Sequence, residues 1–265
     1  MIATVFFGLG KSYGQDYSSS VAGKFALSIY SQFADDNNEN IFFSPISLSM
    51  AMGMTYAGAE AQTKEQIANV FNFPVDDKNL HSDLGKMQSS IVGQGSKGVE
   101  ISIANQLWAD KQYRFRCKYL RLVRKNYNAP VKRMKFRTEP DECRLEINQW
   151  VEDKTNNRIV DLLPDGSISD MTAMVLTNAI YFKGQWESKF NPDNTKDDFF
   201  MVAKSKKVEC KMMSAHQKFN LYQGDNLKLL ELPYAGKDFS MLVILPDEDT
   251  QLKEIESSIT FDKIN

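Results

Sequence analysis

The sequence predicts a mixed α+β fold, helices first and strands after, on three observations. Residues 20–71 repeat apolar side chains at helical spacing. The runs VEISIANQLWAD (99–110) and MVLTNAIYFKGQW (174–186) carry apolar residues on both alternating faces, the pattern of strands covered above and below. Residues 206–247 then return to strands, of which LKLLELPY and FSMLVILPD are the clearest.

In SVAGKFALSIYSQFA (20–34), Phe25, Ile29 and Phe33 stand at helical spacing, and the polar run DDNNEN ends the helix. NIFF is expected as a short strand. Ser44 and Pro45 suit an N-cap and a first helical residue and Gly58 the far end, which predicts a helix over 44–58. Ser47, Ala51, Met54 and Gly58 share one face of it, small enough for a sheet to lie close. Thr63 and Gln66 form a capping box for a third helix with Ile67, Val70 and Phe71 as its apolar residues. The two long strand runs belong in the middle of a sheet. Between them lie helices at 118–128 and 141–158, the second presenting Ile147, Trp150 and Val151 on one face, and QLKEIESSI is a last short helix.

Composition excludes several classes. The chain has 265 residues, 42% hydrophobic and 25% charged with a net charge of −2, enough to bury a core and without the marks of disorder. Neither a nucleic-acid nor a membrane partner is expected. Cys117, Cys143 and Cys210 are too far apart for a disulfide framework or a zinc site and read as free thiols. MIATVFFGLG lacks a basic leader and a cleavage site and is too short to span a membrane, so residues 1–19 are expected to be a flexible start or a degenerate signal. No Asn-x-Ser/Thr sequon occurs.

Motifs of catalysis are weak. GQGSKG (93–98) matches the glycine spacing of a dinucleotide loop, but a helix precedes it and a strand follows, the reverse of what holds a pyrophosphate. VFFGLGKS (5–12) imitates a P-loop with Val5 where its first glycine must be, and in LVILPD Pro246 interrupts the strand before Asp247. His81 and His216 stand in no metal-ligand spacing, and there is no G-x-S-x-G elbow. No catalytic residue, metal or cofactor is expected. Asn178, polar in the middle of a buried strand, must find partners, and the hydroxyls of Ser44 and Ser47 are the candidates.

NIFFSPISLSMAMGMTYAGAEAQTKEQIANVF and TNAIYFKGQWESKFNPDNT closely resemble the serpin family. ANQLWAD, INQWVEDKTNNRIVDLLPDGSI, and ELPY followed by MLVILPD extend the resemblance from Phe25 to the end in the family's order. It implies a serpin-like mixed fold, with N-terminal helices packed on large mobile β-sheets. One sheet opens so that a C-terminal loop, once cut by a target serine or cysteine protease, inserts as a new strand and traps the protease. It also implies that Ser44, Ser47 and Asn178 form the shutter cluster where the sheet parts, and that Trp186 stands where insertion begins. Residues 20–265 are then the N-terminal part of a single serpin domain, the sequence stopping before the reactive loop and the last strands, so no residue here is expected to be a scissile bond. The alternative is a non-inhibitory serpin acting as carrier, chaperone or structural protein. Family weight favours the extracellular space; three free thiols and no sequons fit the cytoplasm equally.

Residues 111–137 hold eleven Lys or Arg and no Asp or Glu, leaving 21 basic against 34 acidic residues elsewhere. Since some serpins bind glycosaminoglycans, Lys118, Arg121, Arg124 and Lys125 on a helix, with Lys132 and Arg133 on the next strand, are candidates for a heparin-like polyanion.

Overall fold

In the computed structural model, residues 2–4, 17–36, 40–74, 78–93, 98–203, 206–224, 226–247, 250 and 252–260 are described. The element order is β1 (Ile2–Thr4), α1 (Tyr17–Asp36), α2 (Pro45–Tyr56), α3 (Ala61–Phe71), α4 (Leu80–Gly93), β2 (Val99–Asp110), α5 (Cys117–Tyr127), β3 (Val131–Met134), α6 (Pro140–Lys154), β4 (Met174–Gly184), β5 (Lys196–Ala203), β6 (Lys206–Met212), β7 (Asn220–Gln223), β8 (Leu227–Pro233), β9 (Ser240–Pro246) and α7 (Leu252–Ser258). The architecture is mixed α+β. Two compact units form, one from residues 13–95, 100–182 and 256–265, the other from residues 1–12, 96–99 and 183–255.

The first unit holds α1 to α6 and the sheet β3-β2-β4. α1 buries Val21, Ala22, Phe25 and Ala26, and Phe25 stacks on Phe71 of α3 with centroids 4.3 Å apart. Ser44 caps α2 as its sequence predicts: the Ser47 amide donates to Ser44 Oγ at 3.3 Å, and Pro45 opens the helix. The buried residues of α2 are Ser49, Met50, Gly53, Met54 and Tyr56, and it packs on α1, α3, α4 and α5. The close approach foreseen for a sheet is therefore made by helices, and Gly58 is exposed. A Cβ on Gly53 would lie 2.6 Å from Tyr127 Oη, and one on Gly85 would lie 2.2 Å from the backbone oxygen of Asn126, so α4 and α5 touch through backbone.

Three local expectations are corrected. NIFF joins no strand; Phe42 is 99% exposed and Phe43 packs edge-on against Phe33, because a run of three apolar residues with no strand beside it among the described residues has no ladder to enter. α3 starts at Ala61, two residues before Thr63, and Glu60 at its cap makes no side-chain capping bond, its carboxylate pairing with Arg116 instead. Within it Ile67 and Phe71 are buried while Val70 is exposed.

β2 pairs parallel to β3, with Leu107 opposite Val131 and Asp110 opposite Met134. α6 lies against this pair: Trp108, Met134, Phe136, Cys143, Ile147 and Ile168 form one buried cluster, with Trp150 meeting Trp108 edge-on at 5.8 Å. Pro140 and two acidic residues start α6 and Lys154 ends it, each on the favoured side of the helix dipole. Arg144 fastens the following loop, reaching Asp141 at 2.6 Å, Asp165 at 2.7 Å and the Leu163 carbonyl at 3.2 Å.

The second unit contains the sheet β1-β9-β8-β7 and the hairpin β5-β6. β8 and β9 pair antiparallel over their whole length, from Leu227 opposite Pro246 to Pro233 opposite Ser240. Pro246 ends β9 before Asp247, as read from LVILPD, whereas VFFGLGKS lies outside the described residues.

Because backbone cannot yield as a flexible side chain can, Gly85→Ala is expected to destabilise the protein by about 1–3 kcal/mol. Gly93→Ala, with nothing within 4 Å of the added carbon, should cost less than about 0.5 kcal/mol. Urea denaturation of both variants measures the difference; equal midpoints would contradict the backbone contact.

Candidate functional site

β2 carries a polar pair, Asn105 and Gln106, inside an otherwise apolar run, and both are buried. Gln106 donates to the Pro130 carbonyl at 2.8 Å. Asn105 Nδ2 donates to Gln88 Oε1 of α4 at 3.0 Å and to the Tyr127 carbonyl at the end of α5 at 2.8 Å. Its Oδ1 accepts from Asn178 Nδ2 of β4 at 2.6 Å. One side chain thus joins two helices and two strands.

Two further contacts frame this centre. Trp108 Nε1 donates to Thr177 Oγ1 at 3.0 Å, one residue before Asn178. The Tyr127 hydroxyl lies 2.6 Å from His81 Nδ1. Burial, and secondarily the neighbouring Tyr119, push the Tyr127 phenol well above its ordinary range, so it stays protonated and keeps this hydrogen bond.

The expected shutter residues are only partly brought together. Asn178 bonds Asn105 rather than the hydroxyls of Ser44 and Ser47, since residues on adjacent strands lie within about 5 Å of one another and satisfy each other first. Ser44 and Ser47 instead meet each other at the cap of α2. Asn105, Gln88 and Tyr127 were missed, although Asn105 carries the same mark as Asn178, an amide inside a buried strand. Trp186 belongs to the second unit, where it stacks on Tyr234 with centroids 4.5 Å apart and planes 11° apart, and meets Phe190 edge-on at 6.3 Å.

β4 was expected in mid-sheet, but in the order β3-β2-β4 it is an edge. β2 covers one side, and among the described residues no strand covers the other. Most of its residues are half-buried, where those of β2 are mostly buried. Asn178 Oδ1, at the middle of this eleven-residue strand, is buried without a hydrogen-bond partner among the described residues. A long strand with an open edge and an unsatisfied acceptor is chemically a place for another strand.

The basic candidates divide. Lys118, Arg121, Arg124 and Lys125 are exposed on α5, whose buried side is Val123 and Tyr127, and none of the four makes an ion pair among the described residues. Lys132 pairs with Glu146 and lies over the Trp108 ring, while Arg133 donates to the carbonyls of Lys111 and Tyr113, both at 2.8 Å. These two are already engaged. Cys117 is exposed, Cys143 buried and Cys210 half-buried, and all three are free.

The class is a mixed α+β fold whose long strand β4 is open along one edge among the described residues, and comparison with known proteins places it. The family model described as Serpin (serine protease inhibitor) matches residues 20–265. Serpin B4 of Homo sapiens is 38% identical over 258 residues, covering 91% of this chain and 66% of that protein. Emu (Dromaius novaehollandiae) ovalbumin superposes with a TM-score of 0.86 at 29% identity, covering 93% of this chain and 67% of that one. Human thyroxine-binding globulin with its reactive loop cleaved gives a TM-score of 0.83 at 28% identity, covering 93% and 73%. The chain belongs to the serpin family. It spans about two thirds of the length of Serpin B4.

Asn105→Ala strands Gln88 Oε1, the Tyr127 carbonyl and Asn178 Nδ2 together, and should destabilise the protein by about 3 kcal/mol. Ser44→Ala removes one cap and should cost about 1 kcal/mol. Chemical denaturation that reverses this order would remove Asn105 from the centre of the site.

Proposed function

We propose that the protein is a serpin-type endopeptidase inhibitor in which this chain supplies the scaffold and β4 the acceptor edge. The observation that carries this function is the family match over residues 20–265, and the edge of β4, with Asn178 Oδ1 unsatisfied among the described residues, is where a strand would add. A loop cut by a serine or cysteine protease would add along β4, and each added residue would extend the hydrogen-bond ladder and cover half-buried apolar side chains. Asn178 turns a donor toward Asn105 and keeps an acceptor in hand, so strand addition satisfies a group that the open edge leaves wanting. The chemistry asks nothing catalytic of the scaffold: the protease supplies the nucleophile, and the inhibitor acts as a substrate that is not released. No scissile bond is assigned within residues 1–265.

A non-inhibitory serpin acting as carrier is the second reading, favoured by the likeness to thyroxine-binding globulin, which has been solved complexed with thyroxine-fluorescein. A fusion of residues 20–265 to the C-terminal third of Serpin B4, given a hinge of small residues in its loop, separates the two. Screened against trypsin-like, chymotrypsin-like and elastase-like serine proteases and papain-like cysteine proteases, the inhibitor forms an SDS-resistant complex with at least one of them, and its cleaved form melts at a higher temperature than the uncleaved one. Cleavage with unimpaired protease turnover and no change in melting would leave the carrier.

The exposed cations of α5, in no ion pair among the described residues, support a heparin-like polyanion as an accessory ligand. Replacing Arg121, Arg124 and Lys125 together with alanine should lower the salt needed for elution from immobilised heparin, whereas replacing Lys132 and Arg133, already engaged locally, should lower it much less. Equal losses from both sets would point to net charge and away from a site on α5. Family weight favours the extracellular space, with the cytoplasm as the alternative; among the described residues no helix is long and apolar enough to cross a membrane.

A further inference from the structure

The cations of residues 111–137 differ in what they touch. Arg116 pairs with Glu60 at 3.1 Å, Lys132 with Glu146, and Lys135 with Glu139 at 2.6 Å. Arg133 donates to two carbonyls. Lys111, Arg114, Lys118, Arg121, Arg124 and Lys125 are exposed and form no ion pair among the described residues; Arg137, beyond β3, is like them. The uncommitted charge therefore begins ahead of α5, in the loop that joins it to β2, and only Arg116 interrupts it.

That loop has a fixed shape. The Lys111 amide donates to the Met134 carbonyl of β3 at 2.8 Å, and the Gln112 amide to Asp110 Oδ1 at 2.7 Å. Arg133 holds the carbonyls of Lys111 and Tyr113, and its guanidinium lies 5.8 Å from the centre of the Phe115 ring, which in turn stacks on Tyr119 of α5 at 6.4 Å. These ties use the loop's backbone and the half-buried Phe115, and they leave the side chains of Lys111, Tyr113 and Arg114 exposed. A loop already held in this way gives up little freedom when a ligand arrives.

We propose that the loop 111–116 is the second half of the polyanion site: an extended sulfated polysaccharide runs along Lys118, Arg121 and Lys125 and on over the loop, where its charges meet Arg114 and Lys111 and a sugar ring lies against Tyr113. This rests on the reading of α5 as a polyanion site. Lys118 and Lys125 are about 10 Å apart along the helix axis, so α5 alone grips a short stretch of chain and the loop lengthens the grip. Sugars fit this surface better than nucleic acid does. Single-stranded nucleic acid is held by stacking successive bases on aromatic rings, whereas here Phe115 and Tyr119 are half-buried against each other and Tyr113 is the one exposed aromatic of residues 111–127.

Binding at fixed salt tests this, with heparin fragments about 10 Å long, the length of the α5 track, and fragments about three times longer. Lengthening the fragment should strengthen binding to the unsubstituted chain about ten-fold more than to a variant carrying Lys111→Ala and Arg114→Ala, since two cations fewer release two counterions fewer. Tyr113→Phe should bind the long fragments as the unsubstituted chain does and Tyr113→Ala about three-fold more weakly, because the ring face and not the hydroxyl makes the contact. A loop variant that gains as much from length as the unsubstituted chain would overturn the proposal and leave α5 in place. Unchanged binding after replacement of Arg121, Arg124 and Lys125 would overturn the reading of α5 and the proposal with it. Tighter binding of single-stranded DNA than of heparin at matched length would overturn the sugar as ligand in favour of nucleic acid. The same series on the fusion to the C-terminal third of Serpin B4 should show the same loop effect; its disappearance there would overturn the proposal, and if the chain alone does not fold the fusion decides.

Discussion

The helical unit depends on the requirement that Asn105, an amide on a strand with almost no access to water, have every hydrogen-bonding position filled. Both its donors and its acceptor are used, and the partners come from α4, α5 and β4. Losing one partner of a buried polar group costs about 1–3 kcal/mol, as much as a large apolar side chain gains by burial. Apolar packing tolerates small slips in position, whereas three hydrogen bonds between 2.6 and 3.0 Å do not. Asn105 therefore sets register where the surrounding side chains supply only cohesion.

Asn178, on the next strand, is the incomplete counterpart. Its amide nitrogen is spoken for and, among the described residues, its oxygen is not, and β4 has a strand beside it on the β2 side alone. The same asymmetry recurs within the strand-rich unit, where β9 is fully paired to β8 and lightly paired to β1. In both places the described residues satisfy a long apolar strand mainly from one direction.

How much of this was legible in the sequence follows from which forces act locally. The limits of β2 and β4 could be read closely because period-two alternation and the flanking turns are properties of the segment itself. The Ser44 cap was legible for the same reason. What lies beside β4 was legible only through the family resemblance, since apolar residues on both faces of a strand report what lies above and below the sheet. NIFF failed likewise: its composition suits a strand, but a strand exists only with a neighbour. Asn178 was singled out rightly as a polar residue needing partners, yet its partner is chosen by sheet register, which joins it to Asn105 at a separation of 73 residues. The basic run was visible as charge, but only packing shows that Lys132 and Arg133 are engaged while the four cations of α5 form no ion pair among the described residues.

The aromatic contacts have a consequence in optical terms. The chain has three tryptophans. Trp108 and Trp150 meet edge-on in one unit, close enough to couple their transitions, while Trp186 lies flat on Tyr234 in the other. With Trp186 replaced by phenylalanine the near-ultraviolet circular dichroism reports on the first pair, and with Trp108 and Trp150 replaced the tryptophan fluorescence reports on Trp186, each speaking for its own unit. A loosening confined to either unit would be heard from that side alone, with no label attached to the protein.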